Sequence, residues 1–186
     1  MPDNHRVPGF HLRLASLTLA AASAAIVLSP PALAVPPDTS DEPTPCWGDE
    51  IAVSSSPTQG AVGHRALSLI FSLIGGEPCT LNGYPVVETD AGGPPIQAQP
   101  TPRGYLGGLP AGVSTPQTVT LSISQQAQAI VEGMAGMAVA GSGNPCPSYT
   151  DLSVNLPFVQ RTFTVPATIE ACQLQVHPIT EATDSP

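Results

Sequence analysis

The sequence predicts an all-β protein, an immunoglobulin-like antiparallel β-sandwich of about seven strands with two disulfides. Three observations predict it: short segments in which apolar and polar residues alternate, turn-forming residues between those segments, and four cysteines in the part of the chain expected to fold. Successive side chains of a strand point to opposite faces, so alternation indicates one core face and one solvated face. Short strands with this punctuation are typical of a sandwich.

Four segments show the alternation most clearly. Their apolar positions are Leu67, Leu69, Phe71 and Leu73; Val119, Leu121 and Ile123; Leu152, Val154 and Leu156; and Cys172, Leu174 and Val176. Weaker strand candidates are residues 47–54, 84–89 and 161–165. Gly, Asn, Asp and Pro separate the segments, as in Asn82-Gly83, and these residues favour turns.

Residues 125–140 fit two structures. Apolar residues at Ala127, Ile130, Val131, Met134 and Ala138 could form the stripe of a helix. Glycines at 133 and 136 would each cost a helix interior about 1 kcal/mol relative to Ala. A strand followed by a loop is therefore the favoured interpretation.

The first 34 residues have the three zones of a secretory signal peptide. Arg6 and Arg13 supply positive charge, residues 14–28 form an apolar run, and Ala32-Leu33-Ala34 is an A-x-A site, so cleavage is expected after Ala34. A retained membrane anchor is the alternative, but the run is short for the roughly 20 residues that a membrane span needs. No Cys stands directly after the site to take a lipid. We expect a protein that is secreted or held in the cell envelope, with no membrane anchor after cleavage.

The rest of the chain divides by composition. Residues 35–45 are rich in Pro and acidic residues and predict an extended linker. Residues 46–178 contain all the strand candidates and predict one β-sandwich domain. Residues 179–186 are polar and predict a disordered tail.

The cysteines are expected to form disulfides. Cys46, Cys79, Cys146 and Cys172 all follow the cleavage site, and none of their spacings is a C-x-x-C zinc or redox motif. Four cysteines allow three pairings. We favour Cys46 with Cys79 and Cys146 with Cys172, because each pair flanks strand-like segments that short connections would place side by side.

The acidic charge of the chain excludes some classes of function. Hydrophobic residues make up 41% of the chain and charged residues only 10%. The presequence holds two of the 5 basic residues and one of the 14 acidic ones, which leaves 3 basic and 13 acidic residues in the exported chain. Such a chain lacks the positive patch that binds phosphate backbones or anionic lipids, so nucleic-acid binding is not expected.

No residue pattern predicts an active site, a cofactor site or a metal site. His64 and His177 are the only imidazoles after the presequence, and no G-x-S-x-G nucleophile motif occurs. His177 falls on the outward phase of the last strand, which predicts a solvated surface residue. Trp47 follows a cysteine and is expected to pack against its disulfide. We therefore expect no enzyme activity.

A weak contact surface can be assembled from Tyr84, Tyr105 and His64. Tyr105 lies in a loop rich in Gly and Pro, residues 100–112, which is long enough to carry recognition. His64 lies where a loop enters a strand, and a role in positioning a ligand there is as plausible as a catalytic one.

Several short motifs resemble one family. They are an opening Cys46, GAVGH at 60–64, CTLNGYP at 79–85, Cys146 before an alternating strand, and ACQLQVHP at 171–178. Together they are similar to the exported actinobacterial proteins grouped as domain of unknown function 4232. The resemblance implies an immunoglobulin-like sandwich at or outside the cell envelope, and it implies no activity.

These features favour a secreted or envelope-associated binding module without catalysis. Its partner would be an extracellular protein or a wall polymer, and its oligomeric state stays open. The alternatives are a structural component of the envelope and a hydrolase of unrecognised type.

Overall fold

The computed structural model describes residues 43–135 and 145–183. The expected signal peptide, its expected cleavage site after Ala34 and most of the predicted linker lie outside these residues. All regular structure in the described part is β, which confirms the predicted fold class. The immunoglobulin-like connection pattern stays a prediction.

Twelve strands occur in the described residues. They are β1 (Ile51–Ser55), β2 (Gln59–Ala61), β3 (His64–Leu73), β4 (Cys79–Leu81), β5 (Val86–Ala91), β6 (Gln99–Pro100), β7 (Val119–Leu121), β8 (Ala127–Met134), β9 (Ser148–Asn155), β10 (Thr162–Glu170), β11 (Gln173–Val176) and β12 (Thr180–Glu181). The main sheet has the order β1-β3-β8-β11-β6, with β2 added on β3 and β12 on β8. A second sheet has the order β10-β9-β5, and β4 pairs with β7.

One hydrophobic core joins these sheets. Leu67, Leu69, Phe71 and Leu73 on β3 are all buried, as their alternation predicts, and the inward residues of β9 and β10 belong to the same cluster. The main sheet therefore has an inner face on this core and an outer face turned away from it. The outer face carries the candidate site.

The ambiguous segment is a strand over its described part. β8 pairs antiparallel with β3, with Leu67 opposite Val131. Gly133 is accommodated in this strand because Ala171 packs closely against it. A Cβ at residue 133 would lie 2.9 Å from the Cβ of Ala171, closer than packed side chains approach, so a larger residue would not fit. Residues 136–140 lie outside the described part of the chain.

Both disulfides have the favoured pairing. Cys46 joins Cys79 across 33 residues, and Cys146 joins Cys172 across 26 residues. In the chain-entropy account, closing loops of this length contributes about 3 to 4 kcal/mol each. The described residues contain no free cysteine.

Two apolar side chains that the sequence placed in the core are exposed. Trp47 is 65% exposed, because the chain reverses in a turn in which Glu50 N–H donates to Trp47 O at 3.2 Å, and this turn leads the ring away from the Cys46 disulfide. Ile123 is 79% exposed, because β7 ends at Leu121 and the chain turns between Ser122 and Gln125. For Ile123 the alternation was extended into a turn, and for Trp47 the neighbouring disulfide was taken to fix the side-chain direction.

The predicted boundaries of the domain are also too narrow. Ile179 is fully buried, its N–H donates to Gly83 O at 2.9 Å, and β12 pairs with β8, so residues 179–181 are not a disordered tail. At the other end, Pro45 forms a bridge with Thr80, so the last residue of the predicted linker pairs with β4. Apolar burial and backbone pairing outweigh the polar composition of these ends.

We expect Ile179→Ala to lower the free energy of unfolding by about 2 to 4 kcal/mol, because it empties a fully buried site. The control is Ile123→Ala, the same change at an exposed position, for which a change within about 0.5 kcal/mol is expected. Urea denaturation of the two variants measures both values. Equal effects would contradict the assignment of residue 179 to the core.

Candidate functional site

Three polar side chains meet on the outer face of the main sheet. Glu132 lies on β8, His64 begins β3 on one side of it, and His177 follows β11 on the other side. The register places Ala66 and Gln175 opposite Glu132, and His177 N–H donates to Ile130 O at 2.9 Å. Each histidine is therefore a diagonal neighbour of Glu132 across a strand pair, within reach of a long side chain.

The carboxylate of Glu132 bonds to both histidines. His64 Nδ1 lies 2.6 Å from Oε1, and His177 Nε2 lies 3.3 Å from Oε2. Glu132 is 3% exposed, His177 is 1% exposed and His64 is 24% exposed. Each oxygen of this buried carboxylate thus faces one imidazole.

A loop closes over this cluster, and we call residues 101–113 the covering loop. The backbone N–H of Tyr105 donates to Glu132 Oε1 at 3.1 Å, and that of Leu106 donates to Oε2 at 3.0 Å. A Cβ at residue 104 would lie 2.2 Å from Oε2, so only Gly allows the backbone this close. Glu132 therefore accepts four hydrogen bonds and fastens the loop to the sheet.

The covering loop also holds itself together. Gly104 N–H donates to Gly107 O at 2.8 Å, and Leu109 N–H donates to Pro102 O at 2.7 Å. The Arg103 guanidinium donates to the carbonyls of Leu109, Pro110 and Val113. These bonds close a compact turn at the tip of the loop.

Tyr105 is displayed at that tip. Its ring stacks on His64 with 4.5 Å between ring centroids and 17° between planes, and the residue is 59% exposed. The imidazole is thus bonded by Glu132 at one edge and stacked against Tyr105 on one face. The cluster fixes where an exposed aromatic side chain lies.

His177 joins the covering loop to Glu132. Its Nε2 lies 3.3 Å from Glu132 Oε2, and its Nδ1 lies 3.0 Å from Thr101 O, an oxygen that only accepts. An N–H at either nitrogen therefore has an acceptor. The Thr101 hydroxyl also lies 3.2 Å from Nδ1 and can donate to Gln175 Oε1 at 3.5 Å. The ring thus holds the loop to the sheet through its two nitrogens.

The pKa of Glu132 reflects two opposing effects. Burial alone would raise the pKa of this carboxyl, since it disfavours the charged form. The hydrogen bonds from Leu106 N–H, His177, Tyr105 N–H and His64 outweigh burial and hold the pKa below its ordinary value of 4.5. The charged carboxylate is therefore the form that this site stabilises.

The sequence interpretation of His177 was wrong in one respect. The residue does lie on the outer side of the sheet, but the covering loop shields that side, so His177 is buried. The structure brings the predicted Tyr105 and His64 into contact. It gives Tyr84 no hydrogen bond or ring contact with them within the described residues.

Glu132 was not singled out from the sequence. The available signal was a lone acid at an outward position of the otherwise apolar and amide segment AQAIVEGM. Such a residue is usually solvated. Only the long-range path of the covering loop makes it the centre of the site.

Two grooves flank these features. One of about 590 Å³ runs between the covering loop and residues 177–183, lined in part by Leu109, Val113, Gln117, Gln128, Ile130 and Glu181. A larger groove of about 730 Å³ lies between β2 and β10. In the larger groove the hydroxyls of Ser55 and Thr58 already donate to β10 carbonyls, so we regard the smaller one as the better candidate.

Residues 43–135 and 145–183 contain neither a candidate metal centre nor a candidate membrane-spanning helix. No group of three or more His, Cys, Asp and Glu side chains there has a geometry that could hold a metal ion. No helix there is long and apolar enough to cross a membrane.

We expect Glu132→Gln to lower the free energy of unfolding by about 2 to 4 kcal/mol, because the amide leaves buried donors without a charged acceptor. The control is Glu170→Gln, which removes a half-exposed carboxylate 3.7 Å from Arg65. Its effect should stay below about 1 kcal/mol. Urea denaturation at neutral pH compares the two, and equal losses would contradict the anchoring role.

Acid should weaken the protein through the same residue. The pKa of Glu132 is lower in the folded protein than in the unfolded chain, so its carboxylate stabilises the fold. This stabilisation is complete above the pKa of the unfolded chain, and it is lost as pH falls through the pKa of the folded protein. The stability difference between wild type and Glu132→Gln should therefore shrink below about pH 4.5. Urea midpoints of both proteins from neutral pH to pH 3 measure it. A constant difference would contradict the lowered pKa.

Comparison with known proteins gives one match. Residues 46–182 match the family described as "Domain of unknown function (DUF4232)". No curated protein and no solved structure matches the chain. The match covers nearly all of the described residues and confirms the resemblance that the sequence motifs indicated. The chain belongs to the family of domain of unknown function 4232.

Proposed function

We propose that this domain is a non-catalytic extracellular binding module that recognises a neutral, hydroxyl-rich wall polymer. The binding surface would be the groove beside the covering loop together with the exposed ring of Tyr105. The observation that carries this proposal is the fastening of the covering loop by the buried carboxylate of Glu132.

The fastened loop supports recognition because it is ordered before any ligand arrives. Ordering a free loop on binding reduces affinity, and a loop already fixed by folding avoids that loss. A buried carboxylate is a costly way to strengthen a sheet, since apolar side chains serve stability equally well. Its use here is better explained by the need to hold one loop conformation.

The chemistry of the surface favours a neutral polymer. Tyr105 offers an aromatic surface against which the C–H face of a sugar ring could pack, and the amides of Gln117 and Gln128 offer both donors and acceptors for hydroxyl groups. Among the residues that the structure describes, the groove is lined by Glu181 and by no Lys or Arg. An anionic polymer would be repelled, whereas a neutral one would not.

The expected export of the protein supports a wall polymer as the proposed ligand. Two disulfides are consistent with an oxidising extracellular location. The signal peptide expected at residues 1–34 would deliver the domain there. A purely structural role in the envelope would not require an exposed Tyr on a fastened loop.

Acid–base catalysis is a second candidate, favoured by the pair of His64 and Glu132. A carboxylate bonded to Nδ1 orients an imidazole, and Nε2 of His64 has no hydrogen-bond partner within the described residues. Against it, the Thr101 hydroxyl lies beside His177, and within the described residues no Ser, Thr, Tyr or Cys side chain hydrogen-bonds to His64. No nucleophile is thereby activated.

We expect Tyr105→Ala to reduce binding to insoluble wall polysaccharide at least tenfold while changing the free energy of unfolding by less than about 1 kcal/mol. Sedimentation of the full chain with purified wall polysaccharide measures binding. The matched control is Trp47→Ala, which removes a similarly exposed aromatic side chain outside the covering loop.

Two outcomes would contradict the proposal. One is no retention of wild type above that of an unrelated disulfide-bonded sandwich. The other is release of soluble sugar that is lost in His64→Ala, which would favour the catalytic candidate.

A further inference from the structure

Large exposed apolar side chains are concentrated at one end of the strands, away from His64. β3 runs from His64 to Leu73, and Ile74 follows it. Val86 opens β5 opposite Asn155 at the end of β9, and Phe158 follows β9. Five of the seven large exposed apolar residues in the described chain lie at this end: Trp47, Ile74, Val86, Ile123 and Phe158.

Three of them sit on segments that contact one another. Ile74 N–H donates to Glu50 O at 2.8 Å, which joins the segment after β3 to the turn that contains Trp47. Arg161 Nη1 donates to Gly48 O at 3.0 Å, which joins the loop of Phe158 to the same turn. We call Trp47, Ile74 and Phe158 the apolar tip.

The members of the apolar tip are strongly exposed. Trp47 is 65% exposed, Ile74 61% and Phe158 81%. Single exposed apolar residues are common, but three on segments joined by these hydrogen bonds make a candidate interaction surface. Trp and Phe are also enriched at protein interfaces.

Phe158 has an unfavourable backbone conformation as well. Its φ is 66°, in the left-handed region that a bulky side chain rarely adopts. The residue gains no burial in return, since its ring lies in solvent. Strain without a packing benefit is typical of a functional position.

Charge indicates what the apolar tip would bind. Asp49 and Glu50 lie in the turn of Trp47, Glu77 lies three residues after Ile74, and we call these three carboxylates the acidic surround. Glu50 Oε2 also accepts from Trp47 N–H at 3.2 Å, which holds that carboxylate beside the tip. Arg161 lies three residues after Phe158. Arg161 is already engaged, since it donates to Gly48 O and lies 5.0 Å above the ring of Phe163. The acidic surround would repel a second copy of this chain and an anionic lipid surface, and it would attract basic groups.

We propose that the apolar tip docks a basic amphipathic segment of another protein. Apolar side chains of that segment would pack on Trp47, Ile74 and Phe158, and its Lys or Arg side chains would pair with the acidic surround. The three residues of the apolar tip do not line the groove beside the covering loop, so the proposal adds a protein partner to the polymer of the proposed function.

The test uses the full chain and the emission of Trp47, which is its only Trp. The probes are a synthetic amphipathic Leu/Lys peptide, a Leu/Glu peptide of the same pattern, and phosphatidylcholine vesicles. We expect a blue shift of Trp47 emission with the Leu/Lys peptide alone. Ile74→Ser should weaken this binding at least tenfold, and Tyr105→Ala, at the other surface, should leave it unchanged.

Several results would overturn the proposal. They are an absent shift, equal binding of the Leu/Glu peptide, a larger shift with the vesicles, or full binding by Ile74→Ser. Phe158→Gly separates strain from packing, because Gly accepts this φ freely. It should keep or raise the melting temperature and weaken peptide binding at least fivefold; a lower melting temperature with unchanged binding would make Phe158 structural only.

Discussion

The buried carboxylate of Glu132 is the constraint on which the outer face of this domain depends. It accepts hydrogen bonds from a histidine on each neighbouring side and from two successive backbone N–H groups of the covering loop. A charge in this position would be costly if any of these donors were lost. Because the four bonds share one carboxylate, the loop conformation, the burial of His177 and the exposed position of Tyr105 depend on one another.

The β scaffold places the members of this arrangement. Antiparallel pairing of β3 and β8 brings His64 beside Glu132, and the pairing of β11 with β8 brings His177 to the other side. The short parallel pairing of β6 with β11 then starts the covering loop next to His177, where Thr101 N–H donates to Val176 O at 2.9 Å. Residues far apart in sequence meet because neighbouring strands deliver them to one face.

Much of the scaffold could be predicted from the sequence, and the site could be predicted only in part. Local alternation determines which side of a strand faces the core, so the inward residues of β3 and β9 and the two disulfides followed from short-range patterns. Alternation does not tell whether the opposite side meets water, and this is why His177 was assigned to the surface and Glu132 was overlooked. Tyr105 and His64 could be named as candidates, but their contact depends on a loop whose path no local pattern determines.

The central claim is that Glu132 is ionised and bonded to the covering loop, and NMR of the folded protein tests it most directly. A pH titration would follow the side-chain carboxyl carbon of Glu132 together with the amide protons of Tyr105 and Leu106. The account predicts a carboxyl midpoint below 4.5 and amide shifts that change in step with it. A midpoint at or above 4.5, with amide shifts that do not respond to it, would contradict the account.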